Sequence, residues 1–334
     1  MPMGGYLLRR IGLMGLTLAV TSVLVFVIIQ LPPGDYLTTY IEELRAQGEM
    51  VPPERIAYMR AQYGLDQPLV IQYLTWAGGL LTGNLGYSFE HSVPVASLIG
   101  DVFLLTILVN MATVLFVYLV AFPIGLYSAT HRYSWSDYGL TFLGFLGLAT
   151  PNFLLALILL YLSNRWFGTA IGGLMDPEYL NQPWSLAKAL SVLEHLWVPV
   201  VVIGTAGTAA MIRRLRANLL DELNRPYVTT ARAKGVPPTR LLLKYPLRMA
   251  LNPFVADIGN LLPQLVSGSV IVSAVMSLPT TGPLLLRALA AQDYYVAGAM
   301  LMFLALLTVA GQLLSDVLLA VLDPRIRLGG GTRR

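Results

Sequence analysis

The chain has no cysteine among its 334 residues, only 3 histidines, and little charge, with Lys, Arg, Asp and Glu together making up 12%. Without cysteine there is no disulfide, no thiolate nucleophile and no Cys-ligated metal. His91, His131 and His195 lie far apart and show no ligand spacing, so they read as structural or interfacial and no metal site is expected. Three signatures of chemistry are also missing: a Gly-x4-Gly-Lys-[Ser/Thr] phosphate loop, a His-Glu-x2-His zinc pair and a Gly-x-Ser-x-Gly nucleophile elbow. No catalytic residue is expected. The scarcity of charge excludes a soluble surface. With 56% hydrophobic residues and a mean hydropathy of +0.65, apolar side chains exceed what water-facing area tolerates. Net charge +4 and a pI near 9.2 do not point to nucleic acid, because the basic residues flank apolar runs instead of forming one stripe.

What is present is a set of long apolar runs. Six reach the roughly 20 residues that a helix needs to cross a bilayer: 11–31, 102–129, 138–167, 192–212, 254–276 and 296–321. The fold class is therefore an all-α integral membrane protein with six transmembrane helices. Arg9 and Arg10 precede the first run as they would in a signal peptide, but the run is too long and no small-residue cleavage site follows before Pro32-Pro33. It is kept as a span. Placing the N-terminus inside puts Arg9, Arg10, Arg132, the basic residues from Arg213 to Arg248 and those from Arg325 onward on the inner side. Only Arg45, Arg55, Arg60, Arg165, Lys188 and Arg287 are then left outside. The positive-inside rule selects this orientation, with both termini cytoplasmic.

The segments between runs are unequal. Residues 32–101 form an extracytoplasmic insert with an amphipathic stretch near 53–62 and an apolar-aromatic one, Ile71-Gln72-Tyr73-Leu74-Thr75-Trp76. The insert caps the outer mouth, either as a scaffold lying on the membrane surface or as a docking platform. A second outer loop, 168–191, carries Pro177 and Pro183, and the Gly329-Gly330-Gly331 tail is expected to be disordered. Residues 213–248 form the long inner loop.

Within that loop, Asn224 to Pro238 reads as a short polar helix with local start and stop signals. Pro226 suits a first helical turn, Gly235 suits the left-handed position past a helix end, and Pro237 and Pro238 stop continuation. So short a helix buries no core of its own. With Arg225, Arg232 and Lys234 on it, it is either a solvated loop or a knob that docks into another protein. Two carboxylates, Asp257 and Asp316, lie a turn or two from the inner ends of their spans. Each is a candidate proton relay or, near so many arginines, a structural ion pair. On the fifth span Ser269, Ser273 and Ser277 recur every four residues and share one face, with Gly268 beside them. That face is a helix-packing seam or, with Asn260, Pro263 and Gln264, a wet pathway lining. Pro123, Pro151 and Pro199 mark kinks.

Tyr227 to Gly235 resembles the cytoplasmic loop motif of ABC importer permeases, in which an alanine is followed four residues later by glycine, here Ala231 and Gly235. Arg232-Ala233-Lys234-Gly235 is similar to the version in dipeptide and oligopeptide importer permeases. The resemblance covers nearly the whole chain, residues 1–334, as a single permease domain. It includes Leu8-Arg9-Arg10, Pro33-Gly34-Asp35, Tyr63 to Pro68 with Gln72-Tyr73, and Leu322-Asp323-Pro324-Arg325-Ile326-Arg327. It implies a type I ABC importer permease in a bacterial or archaeal inner membrane, non-catalytic and forming half of a translocation pore. The partners implied are a second homologous permease, two ATPase subunits, an extracytoplasmic substrate-binding protein and membrane lipid, with no nucleic acid. ATP and Mg would be held by the ATPases, and this chain would hold no cofactor. Carried over by position, Arg225, Pro226, Tyr227, Thr230, Ala231, Arg232, Ala233, Lys234 and Gly235 would form the ATPase-coupling helix, and Arg240 to Arg248 the return to the membrane.

The chain departs from the family pattern twice. Ser273 stands where relatives usually carry a glutamate in the fifth span, and Thr280 where a glycine follows Pro279. Cargo stays open between oligopeptides and, in the same family, oligosaccharides or nickel. A reading from another class is a proton-coupled secondary carrier using Asp257 or Asp316.

Overall fold

The computed structural model describes residues 3–32, 34, 36–46, 48, 51–62, 64–167, 172–180, 182–257 and 269–322. In chain order its helices are α1 (Met3–Gln30), α2 (Tyr36–Ala46), α3 (Pro53–Gln62), α4 (Leu69–Thr82), α5 (Val95–Thr130), α6 (Trp135–Ala149) and α7 (Asn152–Phe167). They continue as α8 (Leu186–Leu223), α9 (Pro226–Ala233), α10 (Pro238–Lys244), α11 (Pro246–Ala256), α12 with residues 269–275 described, α13 (Thr281–Ala290) and α14 (Tyr294–Leu322). Among the described residues, the extended pairing is one isolated antiparallel bridge between Tyr87 and Pro94.

Four helices, α1, α5, α8 and α14, are each long and apolar enough to cross a bilayer, and α6 with α7 qualifies as a pair. At 1.5 Å per residue the 36 residues of α5 and 38 of α8 measure about 54 and 57 Å, well beyond a hydrocarbon core of roughly 30 Å. Each therefore projects past the apolar zone. In α8 the projecting end is the polar one, from Arg213 to Leu223, because arginines are costly to bury in lipid.

The expected third span is not one straight helix. It breaks at Thr150-Pro151, where α6 and α7 meet at 100°. Pro151 has no N–H to donate and disfavours helical backbone at the residue before it, and Thr150 is extended (φ −82°, ψ 119°). Pro123 and Pro199 sit inside α5 and α8, which remain single helices. The insert after the first span is itself helical, holding α2, α3 and α4, and α5 begins at Val95, well before residue 102. Of the fifth stretch, α11 holds the first residues and α12 the last. Asn260 and Gln264, together with Pro263 and Gly268, lie outside the described residues, as do Pro33, Asp35, Tyr63 and the tail from Asp323.

The chain divides into two compact units. One comprises Met1–Arg10, Ile107–Pro279 and Leu307–Arg334 and is organised on α8, against which α6, α7 and α11 pack. Its core includes Val117, Ala121, Leu215, Leu219 and Phe254, and the Tyr118 hydroxyl donates to the Phe254 carbonyl at 2.7 Å. Gly204 is needed for this packing, since a Cβ there would stand 2.7 Å from the Phe116 ring. The other unit, Ile11–Thr106 and Thr280–Leu306, has one cluster around Val95, Ile99, Val296 and Met300 and a second around Val25, Phe26 and Trp76. A fully buried carboxylate, Asp293, ties its loops: it accepts from Ser88 Oγ at 2.6 Å and Phe89 N at 2.9 Å, and its other oxygen faces Val296 N at the start of α14.

Candidate functional site

An exposed polar segment with defined ends is α9 with α10. Pro226 is the first helical residue and Arg225, with extended backbone, stands before it. The helix ends as the sequence predicts. Gly235 has φ +75°, its N–H donates to Arg232 O and the Val236 N–H reaches Ala231 O, which is a Schellman closure that a side chain at Gly235 would strain. Pro237 then extends the chain and Pro238 opens α10. Only two residues of α9 turn inward. Val228 and Ala231 join Leu241 of α10 in a buried cluster, with Val236 and Tyr245 packed on it. The two short helices thus share one small core that neither supplies alone. Arg225, Pro226, Tyr227, Thr230, Arg232, Ala233, Lys234 and Gly235 are all exposed, leaving Ala231 as the one buried member of the expected coupling set.

The elbow between α8 and α9 is pinned. The Tyr227 hydroxyl donates to the Glu222 carboxylate, Arg225 stands 3.7 Å from the same group, and the Asn224 amide donates back to Leu220 O. Partial burial, then the hydrogen bond to Glu222 and its charge, push the Tyr227 phenol up to about 12. Tyr245, with φ −112° and ψ −80°, turns the chain from α10 into α11.

Both carboxylates singled out in the spans are paired. Asp257, just past α11, accepts from Arg214, and Asp316 of α14 accepts from Arg10 of α1. A third pair escaped the sequence reading. Asp137, 1% exposed in the first turn of α6, accepts from Arg216 Nε at 3.0 Å and Nη2 at 2.7 Å, from the Ser128 hydroxyl of α5 and from Tyr133 N at 2.9 Å. One local signal was available: Ser134-x-x-Asp137 is a capping pattern, and Ser134 Oγ does accept from Asp137 N at 3.1 Å.

The serine face is different from the expectation. Ser269 is half-buried and Ser273 is 1% exposed, both on α12. Ser277 does not continue that face. It takes φ +54° past the helix end, with Leu278 N bonded to Ser273 O and Ser277 N to Ala274 O, so the four-residue repeat meets a helix terminus. The residue periodicity was right for a helix, but the helix stops two residues before Ser277.

Residues 121–328 match the family model described as "Binding-protein-dependent transport system inner membrane component", and residues 3–112 match that of its N-terminal part. The chain is 36% identical over 328 residues to the oligopeptide transport system permease protein AppB of Bacillus subtilis, covering 97% of this chain and 99% of that protein. It is 36% identical over 331 residues to a putative peptide permease protein of Brucella ovis, with 97% and 99% covered. To the dipeptide transport system permease protein DppB of Escherichia coli K12 it is 30% identical over 338 residues, with 96% and 98% covered. The long apolar helices, the exposed α9–α10 projection and these full-length matches together place the chain: it belongs to the inner membrane components of binding-protein-dependent transport systems, as a multi-pass permease.

Proposed function

We propose that this chain is the non-catalytic permease subunit of an ATP-driven importer of oligopeptides, forming half of the translocation pathway beside a second, similar permease. In this reading it crosses the membrane six times with both termini cytoplasmic, as the distribution of Lys and Arg favours, the α6–α7 pair counting as one bent span. Residues 32–101 then cap the outer face, where an extracytoplasmic binding protein delivers cargo. Residues 213–248 enter a groove of an ATPase subunit that holds ATP and Mg. Peptide as cargo rests on the names of the relatives matched over their full length, AppB and DppB.

The observation that carries the docking role is α9 itself. A helix of 8 residues, one helical face exposed and the other seated on only a few buried side chains, gains little by standing alone. Its backbone is nevertheless held by a proline start, a glycine closure and a pinned elbow, which is the preorganisation expected of a docking element. Movement of the ATPases would shift α9, and the helices joined to it would convert that shift into alternating access. The ion pairs made by Asp257 and Asp316 weigh against a proton-coupled carrier, because a relay needs a carboxylate that can cycle through its neutral form. The test is co-expression of the chain with its partner ATPase subunits and affinity purification through the permease. An ATPase retained by the native chain and lost on replacing Arg232 and Lys234 by Glu supports docking at α9. Retention undiminished by both substitutions places the contact elsewhere.

A further inference from the structure

Three arginines on a single turn of α8 each grip a different neighbour, and none belongs to the exposed face of α9. The Arg213 guanidinium lies 5.6 Å from the centre of the Phe145 ring on α6. Arg214 pairs with Asp257 at the end of α11. Arg216 takes the buried carboxylate of Asp137 with two of its nitrogens and also donates to Ser128 Oγ at 3.1 Å. The third grip differs in kind from the others. A two-pronged guanidinium–carboxylate bond fixes both the distance and the relative rotation of the groups it joins. Asp137 is buried, so separating the pair would strand a charge away from water, and the joint cannot slip as apolar faces can.

Its position matters as much as its strength. Arg216 lies seven residues before the end of α8, about 10 Å from the elbow that Tyr227 and Glu222 pin to α9. On its other side the carboxylate also holds Tyr133 N, in the short corner between α5 and α6 where Tyr133 itself takes φ +63°. One carboxylate therefore ties α8 to α5, to α6 and to the corner that joins them.

We infer that the Asp137–Arg216–Ser128 clasp is the joint through which displacement of α9 reaches α5 and α6, making Asp137 and Arg216 positioning residues of the transport cycle. The inference deepens the docking role proposed for α9 and rests on it. Apolar contacts between α8 and α6 keep the helices adjacent, and the clasp makes them move as one body.

The test separates transmission from simple packing. In the double variant Asp137→Leu, Arg216→Met, apolar side chains of similar volume replace both charges, an exchange that buried ion pairs commonly tolerate. The complete complex, with its companion permease, ATPases and binding protein, is reconstituted in vesicles. ATP hydrolysis and uptake of labelled tetra-alanine are then measured together. The expected result is normal co-purification, hydrolysis within about twofold of the native complex, and uptake per ATP reduced about tenfold, the size of a typical coupling energy. Native uptake per ATP in an assembled double variant overturns the inference and leaves the clasp a packing feature. Should the double variant fail to accumulate, Arg216→Lys decides, since it keeps the charge but not the two-pronged bond. Uptake per ATP reduced about threefold then supports the joint, and an unchanged value overturns it. Failure of the docking role itself is recognisable separately, because the ATPase would then be retained undiminished when Arg232 and Lys234 are replaced by Glu.

Discussion

In α9 the buried residues are two, Val228 and Ala231, and Arg232 faces outward; at Arg216 on α8, one carboxylate is almost fully buried and the groups that bond it are polar. The first region keeps its shape by backbone devices, a proline, a glycine in the left-handed region and a turn at Tyr245. The second keeps it by charge-assisted hydrogen bonds to a carboxylate that is almost fully buried. The contrast is physically sensible. A surface meant for another protein must leave its side chains available, so rigidity has to come from the main chain. A joint between helices of one chain has no such demand and can spend its polar groups internally.

The contrast breaks most visibly at Asp137. Asp137→Ala leaves Arg216 without its buried partner and should lower stability by about 3 kcal/mol. The check is thermal unfolding in detergent, compared with the double apolar variant above. Equal melting temperatures for the native chain and Asp137→Ala would mean that the carboxylate bears no net load. Gly235→Val comes next. A β-branched residue at φ +75° should cost about 1–2 kcal/mol. That cost falls on the closure of α9, so the expected reading is loss of ATPase retention with little change in the unfolding of the rest. Native retention of the ATPase would show that the helix end is free to change shape.

These two regions were not equally legible in the sequence. Pro226, Gly235, Pro237 and Pro238 act on their own backbone, so α9 was delimited from local signals alone. Asp137 and Arg216 are 79 residues apart, and nothing local says that they meet. Arg216 was counted only as an inner charge, and Lys188, counted as an outer one, is in fact fully buried, donating to Gln182 O at 2.8 Å. Charge counting reads topology without reading burial. The break at Thr150-Pro151 was anticipated only as a kink, because hydropathy over 138–167 is the same whether the helix is straight or folded through 100°. Ser277 left the shared face for the opposite reason: the four-residue spacing carried it two residues past the point where the backbone leaves the helix.

A smaller effect sharpens the description of the elbow. Tyr227→Phe removes the hydroxyl that donates to Glu222 and should cost about 1 kcal/mol. The phenol is raised from its ordinary 10.0 to about 12, so the folded state favours the protonated form. Its contribution is therefore fully present below pH 10 and lost as pH rises toward 12. Unfolding midpoints of native and Phe chains should differ by a constant amount across pH 6–9 and converge at higher pH. A difference that persists unchanged beyond pH 12 would show that the hydrogen bond to Glu222 is not its source.

The smallest effect is expected at Asp257. Its pair with Arg214 is less buried than the clasp, the arginine side chain being 43% exposed, so Asp257→Ala should cost less than about 1 kcal/mol. Uptake by the assembled complex should stay within about twofold of native, because water can solvate Arg214 once its partner is gone. The same substitution also discriminates between classes of transporter. A proton-coupled carrier that used this carboxylate would lose uptake altogether while folding normally. That outcome would make Asp257 a working group of the transport pathway, and the division between an exposed docking surface and an internal electrostatic joint would need a third member. Retained uptake would confine the charge at the base of α8 to holding helices together, with the more buried of its two ion pairs carrying the larger share.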